Sequence, residues 1–300
     1  MKIYILLSPK SQNIKDIEFF ISDFAKFGVN LTPVIINDIN IICGNKNRLF
    51  INGCETEMPD AVICAFFGDI NRHSLYVAQV FESMGVLCIN PASCLTDAAD
   101  KLKSIIKIKT CLPDVKFPET ILYESGLSEN ILKSIGFPMV VKINGGSMGT
   151  GVALAKNRGE AVDISESFSK KYNDSVILQK YIESSAGMDI RFIMCGGRFI
   201  TAFVRLNSGN FISNVSKGGH IEFFEPEKSL IAQAEKIADI LKINLGSVDF
   251  LFGPEGDFYF CEANSMPGLN YTRAYINAGR PNPMEAIVQN IKEQIKKREV

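Results

Sequence analysis

Near the C-terminus, SVDFLFGPEGDFYFCEAN carries Asp249, Glu262 and Asn264 on two strand-like runs around GPEG. Phe258, Tyr259, Phe260 and Cys261 favour an extended, half-buried chain, and GPEG signals a four-residue hairpin loop. If Phe252 faces Asp257, then Asp249 faces Phe260. Asp249, Phe260, Glu262 and Asn264 then project to one side, because residues two apart in a strand share a face. Asp249 and Glu262 become diagonal neighbours, with alpha carbons about 7–8 Å apart or less. Two carboxylates that close raise each other's proton affinity unless a cation neutralises them. A divalent ion would do so, and the Asn264 amide oxygen would add another hard ligand. Oxygen sets of this kind suit magnesium or manganese, with substrate phosphates completing the shell. Ordinary acids on a solvated sheet face are the competing reading, and a nucleotide-binding element elsewhere would weigh against it.

VVKINGGSMGTGVALA supplies such an element. Gly145, Gly146, Gly149 and Gly151 bracket Ser147, Met148 and Thr150. Glycines accept positive φ and let backbone N–H groups approach phosphate oxygens. No lysine follows the glycines, so this is not a Walker loop, and a strand rather than a helix follows, so it is not a dinucleotide fingerprint. The pattern is a strand–loop–strand flap. Lys142 ends the first strand and can reach a phosphate over the loop; Lys101, at a helix start in AADKLKS, is a second candidate. The bland alternatives are a flexible hairpin turn and solvated lysines.

The elements that must position these groups follow from hydrophobic period. KIYILLS, NLTPVIIN, DAVICAFF and VLCINP read as strands, and IKDIEFFISDFAKFG and SLYVAQVFESMG as amphipathic helices stopped by Gly28 and Gly85. Such alternation predicts a doubly wound α/β domain over residues 1–95. DAADKLKSIIKIKT reads as a helix, MVVKIN and GVALAK as strands, EAVDISESFSKKY as a helix and SVILQKYI as a strand, giving an α+β unit over 96–180. DIRFIMCGGRFITAFVRL is a long strand pair turned at Gly196-Gly197. With the helix SLIAQAEKIADILKI, the acid-bearing hairpin and a C-terminal helix from about Pro283, it makes a third unit over 181–300.

Composition narrows the function. A 46% apolar and 22% charged chain of 300 residues is that of a soluble globular protein. A net charge of -1 gives no bulk attraction to nucleic acid or an anionic membrane. No apolar run reaches the ~18 residues of a membrane span, and MKIYILLSPK reads as a buried strand rather than a signal peptide. The eight cysteines contain no C-x-x-C pair and several lie in apolar runs, which points to buried reduced thiols in a cytoplasmic protein. His73 reads as structural, and His220 follows SKGG in a loop that could be functional.

Taken together and in order, NP…DKLKS, FPMVVKINGGSMGTGVALA, VILQKYI, GMDIRFIMCGGRFITAFVRL, SNVSKGG, GSVDFLF and CEANSMPGL resemble the ATP-grasp superfamily. Within it the chain resembles the RimK-like carboxylate–amine (glutamate) ligases, from about Asn90 to the C-terminus. The resemblance implies an α/β ATP-grasp fold, with the doubly wound N-terminal domain followed by two α+β subdomains that enclose ATP. It implies that Lys101, Lys142 and the loop Gly145, Gly146, Ser147, Met148, Gly149 and Gly151 contact ATP phosphates. Gln179, Lys180, Tyr181 and Ile182 would read adenine through their backbone, and Asp189 would hold the ribose. Asp249, Glu262 and Asn264 would bind magnesium (or manganese), while Arg205 and Asn214 would hold the acylphosphate or substrate. The implied reaction adds glutamate or another amino acid to an amine or peptide acceptor through an acylphosphate. The implied partners are small-molecule or peptide substrates, and relatives often form homo-oligomers.

The departures concern substrate. Lys180 stands where glutamate-adding members usually carry an acid. Ser247 stands where D-alanine–D-alanine ligases carry an arginine, which argues against that activity. LNYTRAY follows the N-S-x-P-G turn where glutamate ligases tend to be acidic, and there Arg273 is either a clamp for a substrate carboxylate or a surface arginine. A ligase that cross-links a precursor peptide by amide or ester bonds is the alternative enzyme. A nucleotide-binding regulator is the non-enzyme alternative, opposed by the retained lysines and metal ligands.

Overall fold

The computed structural model describes residues 1–9, 15–66, 70–124, 128–146, 149–207, 209, 213, 219–267 and 271–298. The chain begins with β1 (Ile3–Leu7), α1 (Lys15–Lys26) and β2 (Leu31–Ile35). A meander follows, of β3 (Ile39–Ile42), β4 (Arg48–Ile51) and β5 (Cys54–Glu55), before β6 (Ala61–Ala65), α2 (Arg72–Ser83) and β7 (Leu87–Ile89). The parallel sheet runs β2-β1-β6-β7. Ile3, Ile5 and Leu7 pack on Ile17, Phe20 and Phe24 of α1, while Tyr4 and Leu6 share a cluster with Val77, Ala78 and Phe81 of α2. Opposite strand faces therefore carry opposite helices, as the doubly wound expectation requires. The meander was not expected. Its signal is Asn52-Gly53, both at positive φ (51° and 75°), the dipeptide a tight hairpin prefers.

The expected helix after Pro91 is two helices, α3 (Ala92–Ala99) and α4 (Lys101–Cys111). Asp100 breaks them with extended backbone and caps α4, accepting from Lys103 N at 2.8 Å. The second sheet follows: β8 (Thr120–Leu122), α5 (Glu129–Ile135), β9 (Met139–Ile143), β10 (Val152–Ala155), α6 (Arg158–Tyr172) and β11 (Val176–Lys180), ordered β10-β9-β11-β8. Met139 and Val141 of β9 join Val176, Leu178 and Ala161 in its core. The period of two leaves Val140 and Lys142 on the opposite face.

The third sheet contains β12 (Met188–Cys195), β13 (Arg198–Leu206), β14 (His220–Phe223), then, after α7 (Lys228–Leu241), β15 (Leu245–Phe252) and β16 (Phe258–Asn264). α8 (Tyr271–Asn277) and α9 (Pro283–Lys296) complete the chain. The strand order is β14-β13-β12-β15-β16. Phe192, Val248, Phe250 and Phe260 pack on Ala234, Ile237 and Leu241 of α7, and full burial of each such ring is worth about 1.5–3 kcal/mol. The opposite face is apolar at one end, where Ile193, Phe203 and Leu245 meet the first domain and α9. At its other end it carries charge. Among the described residues, no helix is long and apolar enough to cross a membrane.

Candidate active site

The acid-bearing hairpin forms, with a register different from the expected one. Phe252 pairs with Phe258 and Phe250 with Phe260, and a bulge follows, so that Asp249 pairs with Glu262, Val248 with Ala263 and Ser247 with Asn264. Cys261 is the extra residue. The bulge reverses the facing of everything after it. Phe260 lies in the core with Phe250 and Val248, and so does not share a face with Glu262, contrary to the simple alternation. Asp249 and Glu262 are directly opposite rather than diagonal. Cys261 and Glu262 both line the cleft described below. Burial pushes the Cys261 thiol up to about 12, with Lys142 opposing, which leaves it protonated and unsuited to nucleophilic work.

Across the sheet, registers align a row of charges. Arg205 pairs with Asp189, Arg191 with Asp249 and Asp249 with Glu262. Arg205 donates from Nε to Asp189 Oδ1 at 2.7 Å and from Nη2 to Asp189 Oδ2 at 2.5 Å and Asp249 Oδ2 at 2.8 Å. Ser213 Oγ donates to Asp189 Oδ2 at 2.8 Å. Arg191 grips Asp249 with Nε (2.9 Å to Oδ1) and Nη2 (2.5 Å to Oδ2). Asp249 is 0% exposed. Burial alone would raise its pKa, but Arg191 and Arg205 outweigh it and hold the carboxyl below its ordinary range. Burial alone would lower the pKa of Arg205, and Asp189 and Asp249 outweigh that, raising it. Asn264 Nδ2 lies 3.5 Å from Asp249 Oδ2 and 3.4 Å from Glu262 Oε1.

Facing this row across a cleft is the second sheet. Lys101 is buried at the first position of α4; its Nζ donates to Asn144 O at 3.4 Å and to Gly146 O, and sits 4.0 Å from Glu262 Oε2. Burial lowers its pKa, partly opposed by Glu262. Lys142, Gly146 and Gly149 line the cleft with it, as do Gln179, Lys180, Tyr181 and Ile182 at the end of β11. The flap is tight: a Cβ on Gly146 would lie 2.8 Å from Thr150 O, and one on Gly151 (φ +64°) 2.6 Å from Ile143 Cγ1. Gly145 N donates to Asp174 Oδ2 at 2.8 Å. Gln179 Nε2 donates to Thr120 Oγ1 at 3.0 Å, and exposed Lys180 pairs with Glu119 at 3.5 Å. The cleft has an empty volume of about 820 Å³, part of it open to solvent.

The structure thus brings Lys101, Lys142, Gly146, Gly149, Gln179, Lys180, Tyr181, Ile182, Asp189, Arg205 and Glu262 into one cleft wall or the other. Asp249 and Asn264 adjoin it through Glu262, and Gly145 and Gly151 belong to the flap. Asp189 lines the cleft with both of its oxygens bonded to Arg205. Arg273 does not line the cleft: it is exposed and lies over the Phe19 ring, 4.3 Å from the centroid. Ser147, Met148 and Asn214 fall outside the described residues. His73 Nε2 donates to Ile36 O at 2.9 Å, and His220 is exposed beside Glu222. Sequence reasoning missed Arg191. Its signal was an arginine two residues after Asp189 inside an apolar strand, hence on the same face.

The donor set can be tested for a hard divalent ion. Among the described residues no group of three or more His, Cys, Asp or Glu is placed to hold a metal; the set here is two carboxylates and one amide. That set fits magnesium, which takes one or two carboxylates and leaves positions for phosphate oxygens. Counting the named groups, Lys101, Lys142, Arg191 and Arg205 exceed Asp189, Asp249 and Glu262 by one positive charge, which suits a polyanionic phosphate chain.

The model of the RimK-like ATP-grasp domain matches residues 98–281. A probable alpha-L-glutamate ligase of Vibrio parahaemolyticus serotype O3:K6 is 30% identical over 231 residues, 76% of this chain and 75% of that protein. D-alanine–D-alanine ligase from Bacillus anthracis superposes with a TM-score of 0.72 at 17% identity, covering 100% of both chains; a second structure of it is complexed with ATP. The ATP-grasp ligase PsnB with its minimal precursor gives 0.71 at 13% identity, over 97% of this chain and 99% of that one, and it has also been solved with Mg and ADP. At those identities the two structures speak for the fold, and the family match for the rest: the chain is a member of the RimK-like ATP-grasp family.

Proposed function

We propose that this protein is an ATP-dependent carboxylate–amine ligase that joins glutamate to an amine, or to another amino acid or peptide, through an acylphosphate. The observation that carries the reading is the charged row Arg205–Asp189–Arg191–Asp249–Glu262 facing Lys101 and Lys142 across one cleft. The likeness to proteins named probable alpha-L-glutamate ligase supports glutamate as the amino acid. We take residues 1–95, 96–180 and 181–300 as its three units, with ATP between the second and third.

Lys101 and Lys142 neutralise the phosphate chain, and the flap around Gly146 and Gly151 covers it with backbone. The end of β11 borders the base. Asp249, Glu262 and Asn264 would hold magnesium, which supplies a Lewis acid for the phosphoryl oxygens when bound. One substrate carboxylate oxygen attacks the γ-phosphorus, and the bond to the β–γ bridging oxygen breaks, its electron pair leaving with ADP. Arg205 and Arg191 stabilise the charge on the transferring group. The amine nitrogen then attacks the acyl carbon; the carbon–oxygen bond breaks, phosphate departs with the electron pair, and the amine gives up a proton. Water must be excluded meanwhile, or the acylphosphate hydrolyses.

A screen of ADP release over amino-acid and amine pairs, with mass spectrometry of the product, tests this. The expected product is an amide of glutamate. Turnover that requires a leader-bearing peptide would move the assignment to a precursor-peptide ligase. No ADP release from any pair or peptide would leave a nucleotide-binding regulator.

A further inference from the structure

Asn90 and Pro91 open the NP…DKLKS run, and neither lines the cleft. Asn90 follows β7 at the end of the first domain and is 1% exposed. Its carboxamide reaches into the third sheet. Oδ1 accepts from Asn244 N at 2.5 Å and from Leu245 N at 2.9 Å. Nδ2 donates to Leu245 O at 2.6 Å and to Ser265 O. A carboxamide has two N–H donors and two lone pairs on its oxygen, so all four are spent on backbone. Aspartate would lack the donors, leucine would lack both kinds of group, and glutamine is one methylene longer.

These bonds fall where the β15–β16 ladder stops. Its last pair is Ser247 with Asn264. The same register, continued, would set Leu245 opposite Met266. Leu245 instead bonds Asn90 through both its N–H and its C=O, and the C=O of Ser265, next to Asn264, accepts from the same carboxamide. Asn90 therefore stands between the two strand ends and fixes their separation. Gly246 keeps them close: a Cβ there would collide with Asn264 O. The pinch lies at Asn264, whose Nδ2 is 3.4 Å from Glu262 Oε1 and 3.5 Å from Asp249 Oδ2. A shift of this strand end passes directly to the amide and to Glu262.

We propose that Asn90 is a positioning residue of the ligation: this carboxamide from the first domain sets where Asn264 and Glu262 stand, and so how tightly the divalent cation is held. The proposal rests on the metal reading above and deepens it by tying that site to the first domain. Groups that orient metal ligands from behind control metal affinity. A contact that only joined the two domains would change stability and leave that affinity alone.

The test uses the full chain and a non-hydrolysable ATP analogue, its affinity measured by calorimetry with Mn²⁺ and again with a chelator. The gain that the metal brings reports on the acids and Asn264; the metal-free value reports on Lys101, Lys142 and the flap. Asn90→Ala should bind the manganese complex about 10- to 100-fold more weakly than wild type, with the metal-free affinity unchanged. Asn244→Ala removes the 3.4 Å bond from Asn244 Nδ2 to Cys88 O across the same contact, and should keep the whole gain. The wild-type gain in Asn90→Ala overturns the proposal and leaves the metal reading standing, whereas no gain in wild type sinks both. An equal loss in Asn244→Ala also overturns it, since any loosening between the domains would then suffice. If Asn90→Ala does not fold, hydrogen exchange in wild type decides. Mn²⁺ with the analogue should slow exchange of the Asn244 and Leu245 N–H groups, which donate to Asn90, more than that of Ile63 in the first sheet, because coupling between two sites is reciprocal. Equal slowing at all three overturns the proposal.

Discussion

Asp249 and Glu262 lie opposite each other, yet their partners differ, and so should their variants. Glu262 is partly exposed, its ionic contacts to Lys101 and Arg191 are 4.0 Å long, and Asn264 Nδ2 lies 3.4 Å from its Oε1. Glu262→Gln should lower kcat by on the order of 10²–10³ while leaving the unfolding midpoint nearly unchanged, as a steady-state assay and a denaturant titration will show. Asp249 is buried under two arginines. Asp249→Asn leaves them without their anion, and should cost about 3–5 kcal/mol of stability in the same titration. The pH dependence follows from the lowered pKa of Asp249. Its stabilisation is fully present above the ordinary aspartate value and is lost as pH falls through the lower folded value. The stability gap between wild type and Asp249→Asn should therefore be constant at neutral pH and close in acid below about pH 4. A gap that persists at low pH would contradict the ion-pair account.

At the scale of elements, the bulge at Cys261 decides what the hairpin can do. Were Cys261 in a regular ladder position, the period of two would turn Glu262 and Asn264 toward α7 and the core. Deleting Cys261 makes the strand regular with Glu262 still opposite Asp249, so nucleotide binding, measured by fluorescence of an ATP analogue, should survive. Loss of binding in a folded variant would mean the register is not what presents the acids. This element also marks the limit of the sequence. Asp249, Glu262, Asn264 and both lysines were legible because polar side chains at the end of apolar strands have few structural uses. Strand alternation likewise gave Lys142 its face. The bulge was not legible, because Phe258 to Asn264 fits a regular strand equally well, and only packing of Phe260 on Phe250 selects between registers. The break at Asp100 was hidden in an unbroken helical pattern. Arg273 stayed open between a clamp and a surface arginine because its position along the chain, not its direction, was visible; α8 turns it toward Phe19.

Over the whole molecule, the cleft joins two sheets that make separate cores. A ligand gripped by both should stabilise the pair together. Magnesium with ATP at about 100 times its dissociation constant adds about 2.7 kcal/mol and should raise Tm by on the order of 5 °C. Lys101→Met should cut that shift by more than half, because its ammonium bridges from the α4 start to Glu262 and the flap; an undiminished shift would remove Lys101 from the phosphate site. The most direct test of the central claim follows an oxygen atom. With the amino-acid carboxylate labelled with ¹⁸O, an acylphosphate route transfers one labelled oxygen to each inorganic phosphate released, read by mass spectrometry. One ¹⁸O per phosphate, formed together with the amide, is the predicted result; amide formation with unlabelled phosphate would contradict the mechanism.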